Sequence, residues 1–285
     1  ARVIANLIPI VLCALWAKLT GRAPGAFFDA DGVRIHYTDE GQGEPVVLVH
    51  GFAASGNINW RLPGITQALA KRYRVITIDD RGHGYSDKPY APEQYGIEMV
   101  EDIVRLLDHL GVEKAHVVGY SMGGFITLKL IAAHPERLLS AAPCGAGWGD
   151  PDENLAFLGS VTESLTTRRS FLPLLVKLDP VENPSRLKLA VIDTLLRTLF
   201  DTRALAQIMR TFTQFVVTEA ELRANQVPTL TIVGGRDPLR DFVDPMIGVM
   251  NNHDVSVMEG TDHITCLAHP RFLATLEDFL ARHGA

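Results

Sequence analysis

The sequence predicts an α/β protein: a doubly wound, mostly parallel sheet with an inserted helical cap. Three observations predict it. Short β-branched runs alternate with stretches of helical periodicity over residues 26–147 and again over 228–285, the pattern of βα units whose helices cover both faces of parallel strands. Between them, over residues 148–227, strand signals vanish and helix-spaced apolar residues follow one another. Finally, Gly119-Tyr120-Ser121-Met122-Gly123 lies between a β-branched run and an apolar helical stretch. In that context G-x-S-x-G places a serine on a sharp strand-to-helix turn, with glycines where a β-carbon would crowd it.

Residues 1–25 stand apart. Val3 to Leu19 is almost uncharged and follows Arg2. It reads as an export signal or membrane-associated helix, or as an accessory helix packed on the domain. It is short for a span and is interrupted by Asn6 and Pro9. Membrane association through residues 3–19, with an exported or membrane-associated location, is therefore expected; a cytoplasmic location is the alternative.

Along the core, Ala26–Asp29 and Val33–Thr38 flank Asp31-Gly32, a two-residue hairpin signal. Val46–Val49, opened by Pro45, is a continuous apolar run typical of a buried parallel strand. Ile65–Ala70 reads as helix and Arg74–Ile78 as strand. Ile97–Leu110 carries apolar residues at helical spacing and stops at Gly111. Ala115–Val118 is a strand, followed by the serine turn, a helix to His134-Pro135, and a strand at Leu138–Ala142. In the cap, Phe157-Leu158, Phe171–Leu175, Leu187–Phe200 and Leu205–Val217 read as helices separated by Pro173, Pro180 and Pro184. Thr229–Val233 and Val255–Met258 are strands, and Arg271–Arg282 closes the chain as a helix. Right-handed crossovers put the site at the carboxyl ends of such strands.

Composition narrows the function. The chain has 285 residues, 47% hydrophobic and 21% charged, with a net charge of −6, which lacks the basic footprint of a nucleic-acid binder. Cys13, Cys144 and Cys266 are odd in number and far apart, so no disulfide framework is expected. No Cys/His cluster has zinc spacing, and no metal or organic cofactor is expected.

Ser121 needs a base and a group to orient that base. His263 lies just past the Val255–Met258 strand, and Asp237 just past Thr229–Val233. Both therefore sit where loops converge over the sheet. His253 precedes its strand and His269 opens a helix beside Pro270, so neither competes. Asp241 and Asp244 read as surface residues, and Asp262 should point away from the site. The order Ser121, Asp237, His263 is that of a hydrolase triad. A developing oxyanion needs fixed donors. The backbone N–H groups of Met122 and Phe52 are the candidates, with His50 orienting the loop. Trp148, at the cap entrance, is the candidate substrate-binding residue. Phe157, Phe171, Leu174, Leu175, Leu195, Leu199, Phe212 and Phe215 either line an acyl pocket or simply pack the cap.

These pieces resemble the α/β-hydrolase superfamily, specifically its small bacterial esterase-like members with a helical cap. The matching residues are His50-Gly51-Phe52, Asp79 to Asp87, Gly119 to Gly124, Gly235-Arg236-Asp237 and Asp262-His263, and the resemblance covers about residues 26 to 283. The Arg81–Ser86 loop is a hallmark of the family and reads as structural. The resemblance implies a serine esterase that acts on small or medium lipophilic esters. Lactonase, perhydrolase or haloperoxidase, and carbon–carbon bond hydrolase are alternatives on the same triad, and a non-catalytic, ligand-binding, receptor-like relative is an alternative of another class. The elbow serine argues against dehalogenases and epoxide hydrolases, which use aspartate there. Carbon–carbon bond hydrolases carry Ser-Gly-Pro-Gly after the first His-Gly, where this chain has Phe52-Ala53-Ala54-Ser55.

Overall fold

A computed structural model describes residues 24–149, 151–178 and 185–284, with the side chains of 151–153 excepted. The apolar segment at 3–19, Pro180 and Pro184 lie outside the described residues. Eight strands among them form one sheet in the order β1-β2-β4-β3-β5-β6-β7-β8. They are β1 (Ala26–Ala30), β2 (Val33–Glu40), β3 (Pro45–Val49), β4 (Arg74–Asp79), β5 (Ala115–Tyr120), β6 (Leu138–Cys144), β7 (Thr229–Gly234) and β8 (His253–Met258). Only β2 runs antiparallel to its neighbours. The β1–β2 turn is built as its sequence requires: Asp31 and Gly32 both take positive φ, 55° and 85°, the backbone of a type I′ hairpin.

Helices cover both faces. Helix α1 (Ile65–Leu69) and the last helix (Pro270–Arg282) pack Ile65, Leu69, Phe272 and Leu276 on one face. Helices α2 (Ile97–His109) and α3 (Met122–Ala133) pack Met99, Ile103, Ile126 and Leu130 on the other. The chain leaves β3 for β4 on one side and then returns to β5 on the other side of β3. The carboxyl ends of β3 and β5 therefore flank the point where winding reverses, the usual crevice for a ligand in such sheets.

Between β6 and β7 the described chain is helical: α4 (Pro151–Glu163), α5 (Leu172–Leu178), α6 (Arg186–Leu199), α7 (Thr202–Thr211) and α8 (Glu219–Ala224). Pro173 does not separate helices as expected. It is the second residue of α5, where a missing N–H costs nothing because that donor has no partner within the helix. The stretch expected as one helix over Leu205–Val217 starts earlier and stops sooner. Asp201 caps α7 through the N–H groups of Arg203 and Ala204 at 3.0 and 3.1 Å, and the chain tightens into a 3₁₀ turn at Phe212–Phe215. His253 opens β8 rather than preceding it, because it pairs with Thr229 of β7. A short helix α9 (Arg240–Val243) follows β7, and the last helix, Pro270–Arg282, is α10.

Candidate active site

The turn after β5 is strained at one residue. Ser121 takes φ 56° and ψ −119°, a conformation that costs a non-glycine residue roughly 1–3 kcal/mol and persists only where its surroundings over-determine it. The surroundings are visible. Ser121 N–H donates to Cys144 O at 2.9 Å. A β-carbon on Gly119 would strike Gly123 O, and one on Gly123 would strike Val49 O on the neighbouring strand. The flanking glycines thus answer to a contact within the turn and to the close approach of β3.

His263 and Asp237 meet Ser121 there. Ser121 Oγ lies 2.9 Å from His263 Nε2, and His263 Nδ1 lies 2.8 Å from Asp237 Oδ2. The carboxylate can only accept, so Nδ1 carries the proton and Nε2 is left to accept from the serine hydroxyl. His263 and Asp237 are both buried. The second oxygen of Asp237 accepts from Leu239 N–H at 2.9 Å, which fixes the carboxylate plane. Asp262 turns away and accepts from Ile264 N–H and Thr265 N–H. Asp241 and Asp244 are exposed.

The loop after β3 closes the other side. A β-carbon on Gly51 would sit 3.2 Å from Ser121 Cβ, which measures how near this loop comes. His50 Nε2 accepts from Asp80 N–H at 3.0 Å, so its Nδ1–H donates to Gly51 O at 2.8 Å. That carbonyl and the Phe52 N–H belong to one trans peptide and point in opposite directions; pulling the oxygen toward His50 therefore aims the amide away from it. Gly51 N–H donates to Asn59 Oδ1 at 2.7 Å, and Ala53, at φ 50°, donates its N–H to His83 Nε2 at 3.3 Å. Burial holds both His50 and His83 below the ordinary imidazole range, so both rings are neutral acceptors of backbone N–H. On the serine side, Met122 is the first residue of α3, and its N–H has no acceptor within the helix.

The Arg81–Ser86 loop is structural, as expected. Asp79 accepts from Gly56 N–H, Tyr85 N–H and His36 Nδ1 at 2.9 to 3.0 Å. Burial pushes its carboxyl up, but these hydrogen bonds and the neighbouring histidines outweigh burial and hold it well below the usual carboxylate range. Arg81 donates twice to the buried Asp102, at 2.7 and 2.6 Å.

Ser121, His263, Phe52, Met122 and Trp148 all face one cavity of about 580 Å³. Of the aromatic and aliphatic candidates, all but Phe171 line it. Phe171 is buried instead against Phe200, with ring centroids 6.5 Å apart. The remaining wall is mostly apolar, with Asn59, Tyr120, Asn154, Thr213 and Lys177 as its polar members besides the serine and histidine.

Three supporting residues escaped the sequence reading. Tyr120 OH donates to His263 O at 2.5 Å, and burial pushes this phenol well above its ordinary value, so it stays a donor. It occupies a variable position of G-x-S-x-G, where no pattern marks it. Asn59 sits in a short turn with no motif. His83 lay within the loop hallmark, but only the fold brings its ring to Ala53.

The family described as having the alpha/beta hydrolase fold matches residues 44–164. The chain is 42% identical over 112 residues to a 2-hydroxymuconate semialdehyde hydrolase from Pseudomonas sp. (strain CF600), a match covering 38% of each chain. The chain spans roughly a third of the length of the curated relatives it matches first. Among solved structures, the enol-lactonase of Burkholderia xenovorans LB400 superposes with a TM-score of 0.72 over 90% of this chain and all of that one, at 22% identity. A bacterial membrane phospholipase A superposes with a TM-score of 0.72 over 99% of this chain and 95% of that one, at 25% identity. The chain has the α/β-hydrolase fold, and its residues 44–164 match the family so described.

Proposed function

We propose that this protein is a serine hydrolase that cleaves carboxylic esters of lipophilic acyl chains through an acyl-enzyme. The carrying observation is the Ser121–His263–Asp237 chain of 2.9 and 2.8 Å contacts opening onto an apolar cavity. Ser121 Oγ attacks the ester carbonyl as its proton passes to His263 Nε2, and Asp237 stabilises the resulting imidazolium. The Phe52 and Met122 amides hold the negative oxygen of the tetrahedral intermediate, the latter helped by the α3 dipole. His263 then protonates the departing alcohol. Water repeats the sequence on the acyl-enzyme and restores Ser121. No metal or organic cofactor enters this sequence.

The helices between β6 and β7 supply the acyl wall, with Trp148 at their entrance. A methylene takes up about the space of a water molecule, roughly 30 Å³, so the cavity accommodates a chain of on the order of ten carbons beside the ester. Such a wall offers little to a polar dienoic acid, the class of substrate that a carbon–carbon bond hydrolase handles. The likeness to a membrane phospholipase A adds support for a lipid-like ester, and residues 3–19 would bring the protein to a membrane. A chain-length series of nitrophenyl esters tests the reading: kcat/KM should rise from acetate to a medium chain, and Ser121→Ala should lower turnover by about 10⁴-fold or more. No hydrolysis of any member by the wild type, or undiminished hydrolysis by the variant, overturns it. Single turnover without release, after stoichiometric labelling by a fluorophosphonate, would point to the receptor-like alternative.

A further inference from the structure

Helices α5 and α6 pack side by side and are apolar on two faces each. On α5, Leu174, Leu175 and Leu178 line the cavity. On α6, Ile192, Leu195 and Leu199 do so. An amphipathic helix would be polar on its other side. Here the other sides carry Leu172 and Val176, four residues apart on α5, and Leu187 and Val191, four apart on α6. All four are exposed, Val176 by 53% and Leu187 by 76%. None of them lines the cavity.

Among the described residues of the two helices, the exposed charges beside these residues have one sign. Lys177 and Arg186 are exposed next to Val176 and Leu187. The one acid within the two helices, Asp193, is buried and accepts from Ser170 Oγ and Phe171 N–H. Asp179 and Glu182 belong to the connecting stretch, outside the described residues. Lys177 is both exposed and on the cavity wall, so the cavity reaches the surface beside the apolar face. A partner on that face thus stands at an entrance to the acyl cavity.

We propose that the outer face of α5 and α6 docks on the surface of a phospholipid bilayer containing acidic lipids. Val176 and Leu187 enter the headgroup boundary, and Lys177 and Arg186 meet the lipid charge. The occupant follows from continuity: a lipid surface both covers exposed aliphatic side chains and presents acyl chains to the opening next to them. Its purpose rests on the ester-hydrolase reading, but its test does not need turnover.

The test places an environment-sensitive fluorophore at Val176→Cys in the full chain carrying Cys13→Ser and Ser121→Ala. Cys144 and Cys266 are buried and leave the label a single site. Vesicles of phosphatidylglycerol mixed with phosphatidylcholine should shift the emission to the blue, and a roughly tenfold rise in salt should weaken the shift. No shift while the protein sediments with the vesicles would overturn the proposal, since residues 3–19 would then be the only anchor. Emission already blue in buffer would overturn it too, because a second copy or the chain's own apolar segment would cover the face. An equal, salt-independent shift on pure phosphatidylcholine would overturn the choice of an acidic surface. In a second measurement, Val176→Glu with Leu187→Glu should keep the rate on soluble nitrophenyl butyrate within about twofold and lose about tenfold or more on an ester packed in vesicles. Equal rates on packed and soluble ester would overturn the docking role. Absence of hydrolysis of either ester by the wild type would count against the hydrolase reading and leave the fluorescence result standing.

Discussion

The two ends of the cavity are made differently. At the sheet end, side chains and amides around Ser121 are pinned by hydrogen bonds: His263 by Asp237, Asp237 by Leu239 N–H, the His263 carbonyl by Tyr120, and the Gly51 carbonyl by His50. Two of the five described non-glycine residues with positive φ, Ser121 and Ala53, lie there as well. At the helical end the wall is aliphatic and aromatic, and its contacts are non-directional. Bond-making chemistry needs donors and acceptors held to fractions of an ångström. An acyl chain needs only volume and dryness, so its wall tolerates change.

The largest effect should come from loosening the pinned end. Asp237→Asn leaves shape and volume nearly intact but can no longer select the Nδ1–H tautomer of His263. Turnover should fall by about 10⁴-fold with the melting temperature little changed. Steady-state kinetics beside calorimetry checks this, and a loss under tenfold would mean that the carboxylate does not orient the base.

Packing separates the two ends next. Gly123→Ala drives a β-carbon into the Val49 carbonyl and should destabilise the fold by about 3 kcal/mol or more. Gly159→Ala lies on helix α4 with nothing within 4 Å of its added methyl, so it should stabilise by about 0.5–1 kcal/mol. Denaturant midpoints of the two variants should move in opposite directions.

Acid should act on four buried histidines, two of which, His50 and His83, support the sheet end. Burial holds His50, His83, His116 and His253 below the ordinary 6.5, His253 at about 4. The unfolded chain therefore binds more protons at these rings than the folded one. The stability they contribute is complete above about pH 6.5 and is lost as pH falls toward 4. Asp80, pushed up by burial and by the charges of Asp102 and Asp79, and Asp102, pushed up by burial, work in the opposite sense, but they are two carboxyls against four imidazoles. Melting temperature should thus decline from pH 6.5 to 4. His83→Gln, which keeps an acceptor for Ala53 N–H, should flatten that decline. An unchanged slope would show that His83 does not stay neutral in the fold.

The smallest effect belongs to the helical wall. Leu196→Trp fills part of the cavity and should shift the preferred nitrophenyl ester to a shorter chain, with about a tenfold change in relative kcat/KM between long and short members. Hydrolysis of the acetate should be nearly unchanged.

Several features were legible in the residues alone. The hairpin at Asp31-Gly32, the strands Val46–Val49 and Thr229–Val233, and the helix at Ile97–Leu110 announce themselves through turn chemistry and periodicity, which are local properties. The sites of Ser121, Asp237 and His263 could be named for a similar reason: each follows a strand, and strand ends in a parallel sheet converge. The bounds of α5 and α7 were less legible. Pro173 looks like a breaker until its place in the first turn is known, and the cap at Asp201 decides where α7 begins.

The sequence by itself determined the order of strands and helices, the serine turn and the three residues that meet at it, because short-range sterics and hydrophobic period dictate them. Only the tertiary structure decided the support. That Tyr120 reaches the His263 carbonyl, that the Asp80 N–H fixes the His50 ring which turns the Gly51–Phe52 peptide, that His83 holds Ala53, and that Phe171 leaves the cavity wall for Phe200 while its neighbours stay on it all depend on residues distant in sequence. Each depends on how far one element slides past another, a quantity set by the packing of the whole core and written in no local pattern.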